Sequence, residues 1–142
     1  MEPDIKAQVA QLQKDFRMFD RRARTAVEKT IMQAALVVER DAKLSFKGRN
    51  APSVYNEPPR VDTGRLRASI THRGMRDDDV YFQEIGTNVE YASDVEFGTS
   101  QTMPHPFLSY ALGMNEKDID RAIAAAIREE AAAAAVKGAM NA

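Results

Sequence analysis

Val61-Asp62-Thr63-Gly64-Arg65-Leu66-Arg67, Tyr91-Ala92-Ser93-Asp94-Val95-Glu96-Phe97-Gly98-Thr99 and Pro104-His105-Pro106-Phe107-Leu108 are the stretches on which the reading of this chain turns. In the first, Asp62 or Thr63 can accept the free N–H groups of a short helix running through Arg65 to Ser69. In the second, Tyr91 and Val95 share one face of a helical turn over 91–97, and Ala92 allows close approach. Glu96 stands at the end of that turn, against the preferred sign of the helix dipole. A carboxylate so placed is exposed or paired with a base, and Arg65 and Arg67 are the expected partners. Gly98 suits the left-handed position after a helix. In the third, Pro104 and Pro106 flank His105 and fix an extended entry into Phe107-Leu108.

These motifs hold what turns, caps and packing require, and little of what a reaction requires. Asp-Thr-Gly is also the triplet of aspartic proteases, where two carboxylates share a proton. Here Pro58-Pro59-Arg60 precedes it instead of an apolar strand, and the cationic Arg65 opposes proton sharing. Glu96 lacks a partner His or second carboxylate at motif spacing, which argues against general acid or base work. The two histidines, His72 and His105, have no ligand-like neighbours, and Asp77-Asp78-Asp79 lacks the alternating spacing of a calcium loop. No catalytic residue, metal or cofactor is expected.

Outward from the motifs, residues 70–90 read as a β-hairpin. Ile70-Thr71-His72-Arg73 is the first strand, the three aspartates the turn, and Val80 to Ile85 the second strand, ending at Gly86-Thr87-Asn88. Residues 47–61 hold three of the chain's six prolines without periodicity, and read as a projecting loop that contacts a neighbour or moves in the free protein. Residues 4–46 read as one long helix, with Pro3 and Asp4 suited to its start. Its apolar stripe runs Ile5, Val9, Leu12, Phe16, Phe19, Ala23, Ala26, then shifts to Val27, Ile31, Ala34, Val38 and Ala42. The register shift and the small later positions favour a helix lying on a sheet or neighbouring subunit over a coiled coil. Residues 113–142 read as the C-terminal helical stretch, its helix running from about Asp118 through Ile119, Ile123 and Ile127 into Ala131–Ala135. Polyalanine favours helix but buries little area, so a packing partner is expected there. The fold class is α+β: N- and C-terminal helices packed on a small antiparallel sheet, with the motifs in a core spanning 62–112.

At 142 residues, 44% hydrophobic and 29% charged, the chain has the length and composition of one soluble domain. Its start is acidic and lacks the apolar region of a signal peptide, and it has no cysteine, so intracellular synthesis without disulfides is expected. The net charge of −1 conceals a split. Residues 1–76 hold 16 Lys/Arg against 9 Asp/Glu, whereas residues 77–116 hold 8 acidic residues and no Lys or Arg. Two faces of opposite sign can meet between copies of one protein, or a basic surface can meet nucleic acid.

The ordered set Val61 to Leu66, Gly86-Thr87, Tyr91-Ala92, Glu96 to Thr99 and Pro106 to Leu108 resembles the gp10-like head–tail connector family of long-tailed bacteriophages and prophages, over about residues 5–115. Asp94 stands where the family often has an aromatic or apolar residue, and His105 where a basic or small one is common. The resemblance implies a non-enzymatic virion protein, assembled in the bacterial cytoplasm, that forms a ring at the head–tail junction. Its implied partners are further copies of itself, head-side adaptor or portal-complex proteins, tail tube or terminator proteins, and double-stranded DNA passing without sequence specificity. No membrane partner is implied. Asp62, Thr63, Gly64, Arg65, Leu66, Gly86, Tyr91, Ala92, Glu96, Phe97, Gly98, Thr99, Pro106, Phe107 and Leu108 are then the structural motif positions. Arg65, Arg67, Glu84, Glu90, Asp94 and Glu96 are the candidate interface or lumen charges. The alternative is a nucleic-acid-binding module using Arg21, Arg22, Arg24 and Lys29 on the first helix, although exposed aromatics are not interleaved among them.

Overall fold

Forty-one residues without Gly or Pro follow Asp4 as one uninterrupted helix, α1 (Ile5–Ser45). The computed structural model describes residues 4–140. Pro3, read as a helix-start residue, lies outside them. After α1 come α2 (Arg65–Ser69), β1 (Thr71–Asp77), β2 (Val80–Gly86), α3 (Ala92–Phe97) and α4 (Leu108–Met140). The architecture is α+β, as the sequence implies, with one antiparallel two-stranded sheet. No helix among the described residues is long and apolar enough to cross a membrane.

The described residues divide into two compact units, one of residues 31–119 and one of residues 4–30 with 120–140. The first holds the core. Val38 and Ala42 of α1 meet Leu66 of α2, Ile70, Val89, Ala92 of α3, and Phe107 and Ala111 around the start of α4. The later positions of the α1 stripe are its buried ones, with Val38 and Ala42 essentially unexposed, and Ala111 of α4 is fully buried as well. Phe107 and Ile70 are the largest side chains with essentially no exposure, and Phe46 lies 5.4 Å from the Phe107 ring. Polar ties join the same elements. Asn115 Nδ2 donates to Asp41 Oδ2 at 2.9 Å, and His72 on β1 bonds Glu39 on α1. Lys43 and His72, outweighing burial, hold the Glu39 carboxyl below its ordinary value.

The hairpin is longer than the sequence suggests and its turn tighter. The register runs from Thr71 opposite Gly86 to Asp77 opposite Val80. Only Asp78 and Asp79 lie between the strands, and Asp78 takes φ 50°, a left-handed value that Asp tolerates and two-residue turns require.

In the other unit, Leu12, Phe16 and Phe19 of α1 line a shallow apolar groove of about 260 Å³ with Ala131 and Ala134 of α4. Ile5, Val9, Leu12 and Phe16 remain largely exposed, from 47% to 73%.

Candidate functional site

The motifs converge around α3. Glu96, read as a partner of Arg65 or Arg67, is instead buried, with 8% of its surface exposed. Its Oε2 accepts the backbone N–H groups of Phe107 at 2.8 Å and Leu108 at 3.0 Å. Its Oε1 accepts the N–H of Ser109 at 3.0 Å and the Ser109 hydroxyl. The first amides of a helix have no partner within it, and their positive end attracts a carboxylate. Glu96 therefore caps α4 from eleven residues upstream. This corrects the starting point of the second long helix, which is Leu108 rather than about Asp118. Burial pushes the Glu96 pKa up, but the bonds from Ser109, Phe107 and Leu108 outweigh it and leave the carboxyl below its ordinary value.

Arg65 turns to another carboxylate. Its guanidinium lies 3.3 Å from Glu90 Oε2 and 5.8 Å from the Tyr91 ring centre, all on the surface. Glu84 pairs with Arg73 across the hairpin at 2.8 Å. Arg67 and Asp94 stay exposed, with no ion pair among the described residues.

The turn residues divide their tasks. Thr63 Oγ1 accepts the Arg65 N–H at 3.3 Å, while Gly64 takes φ 83° as the residue preceding α2. Asp62 contributes its backbone carbonyl, which accepts from Arg49 at 2.8 Å. Gly98 has positive φ as expected, 72°, but its ψ of 175° is extended rather than left-handed. A Cβ there would lie 2.7 Å from Pro104 N and 2.8 Å from Thr102 O, so only glycine lets the chain pass.

The loop at 47–61 is tied down rather than freely projecting. Lys47 N–H donates to Pro59 and Val61 N–H to Lys47, both at 2.8 Å, closing its neck. Pro58 and Pro59 are buried. His105 fastens the far side: Nδ1 donates to the Glu57 carbonyl at 2.9 Å, and Nε2 meets Ser53 Oγ at 2.9 Å. Asn56 N–H donates to the Pro104 carbonyl at 3.1 Å. Tyr55 is left 68% exposed. The Pro-His-Pro flanks signalled an extended segment, but nothing local in the sequence pairs His105 with Ser53 and Glu57.

Beside α3, a cavity of about 220 Å³ opens between Phe46, Leu66, Tyr91 and Val95, with Arg60 and Arg67 on its rim. It is built almost wholly from the first two motifs and the end of the loop.

A family model described as "Bacteriophage HK97-gp10, putative tail-component" matches residues 5–98. The chain belongs to the HK97-gp10-like family. No curated protein and no solved structure matches it. As an HK97-gp10-like chain it is a structural phage tail component. The matched span contains α1 to α3 and ends at Gly98, the glycine that turns the chain towards Pro104.

Proposed function

We propose that this HK97-gp10-like chain is a non-enzymatic ring subunit at the phage head–tail junction, a neck connector or tail-completion protein. It joins the portal or adaptor assembly to the tail and lets DNA pass. One observation carries the reading: the motif's buried carboxylate is spent on the fold. With its oxygens holding three amides and a hydroxyl, Glu96 has no role left as an acid or base. Of the motif charges on the surface, Glu84 and Glu90 already pair with Arg73 and Arg65, whereas Arg67 and Asp94 point to solvent and are available to neighbours. A ring needs a head-to-tail contact repeated until it closes, and the sequence's charge split supplies two unlike surfaces. An acidic stretch at 77–96 facing the lumen would repel phosphates, so that DNA slides without sticking.

Native mass spectrometry and negative-stain imaging of the purified chain test the reading. The expected result is a closed ring of one fixed copy number. Monomers at every concentration would overturn it. The alternative, a nucleic-acid-binding module, predicts retention of duplex DNA that weakens with salt and is lost when Arg21, Arg22, Arg24 and Lys29 become Gln.

A further inference from the structure

The subunit fold accounts for most motif side chains but leaves Phe97 standing 77% exposed. Phe97 is the one large apolar side chain that α3 turns outward, and Asp94 stands on the same side of the helix. The same structure offers an unfilled cavity of about 220 Å³ floored by Phe46, Leu66, Tyr91 and Val95. An apolar cavity of about 150 Å³ holds benzene, so a phenyl ring fits this one.

Phe97 does not line that cavity. Val95, which does, is two positions away on α3, and such residues point about 200° apart around a helix. Knob and hole therefore lie on opposite sides of one element, and a single subunit cannot join them. Successive copies can, each giving its knob to the next. Charge runs the same way. Asp94 is exposed and lies about 60° from Phe97 around α3, beside the knob. Arg60 and Arg67 are exposed on the rim of the hole, and neither meets a carboxylate among the described residues. Asp62 shares that rim and leaves it net positive.

We propose that Phe97 of one copy inserts into the cavity between α2 and α3 of the next copy, with Asp94 against Arg60 and Arg67. The partner is a second copy of this chain. The contact is heterologous, so it propagates from copy to copy, and a rotation that divides the full turn closes it into a ring. It rests on the ring reading above and specifies its interface.

The test mixes two variants. Phe97→Asp removes the knob, and Arg60→Glu with Arg67→Glu reverses the rim. All three positions are exposed, and circular dichroism should match that of the wild type. Each variant alone should associate at least about 30-fold more weakly than wild type, the loss of a buried aromatic anchor. Mixed, each retains the surface that the other needs, and a one-to-one dimer that cannot grow should appear by native mass spectrometry. A Phe97→Asp ring of wild-type mass and stability would overturn the inference and leave the ring reading standing. A mixture that stays monomeric would also overturn it. A wild-type chain monomeric at every concentration would remove the ring itself, and the inference with it.

Discussion

Glu96 is the residue whose change should speak most clearly. Glu96→Ala strands three helix amides at a buried site and should cost about 3 kcal/mol. Glu96→Gln keeps the shape but loses the charge, and should cost about 1–2 kcal/mol. The pH dependence follows from the sign of the shift. The folded carboxyl sits below its ordinary value of 4.5. Its contribution is thus complete above that value and is lost as pH falls through the folded one. Chemical denaturation at pH 7 should separate wild type from Glu96→Gln, and the gap should narrow below pH 4. A gap that widened in acid would contradict the capping role.

At the scale of elements, His105 supplies two side-chain ties that fasten the far side of the loop at 47–61. His105→Ala removes both side-chain ties to Ser53 and Glu57. Because the neck at Lys47, Pro59 and Val61 is untouched, global stability should fall by only about 1 kcal/mol. The Asn56 amide, bonded to Pro104, should exchange markedly faster with deuterium. Unchanged exchange at Asn56 would mean that the loop holds itself. The elements themselves were legible in the sequence to very different degrees. The Val38 and Ala42 positions announce their burial through helical periodicity, and Val80 to Ile85 reads as a strand from its β-branched and aromatic content. Glu96 was misread because local rules concern its own helix, where a terminal carboxylate is unfavourable. Its purpose lies in another helix, and only the absence of a Ser, Thr, Asp or Asn just before Phe107 hinted that an outside acceptor was needed. His105 was illegible for the same reason: its partners lie 48 and 52 residues away.

Over the whole molecule, burial is concentrated. Every fully buried apolar side chain among the described residues lies between Ala35 and Ala111. Residues 4–30 and 120–140 offer only half-buried apolar side chains, Phe19, Val27, Ile123 and several alanines, with Ile5, Leu12 and Phe16 mostly exposed. Amides there should exchange before those of residues 31–119 in the free subunit. Equal protection throughout would show that the alanine-rich region is stabilised by more than the packing described. The long reach of Glu96 also sets an order of events. The first turn of α4 has its acceptor only once α3 has formed and Gly98 has swung the chain back towards it. On the ribosome, α3 emerges before α4, so the last helix is made onto an anchor already in place. The end of this chain is thus the part whose folding waits on what precedes it, and damage to α3 would be felt first as a delayed and frayed C-terminal helix.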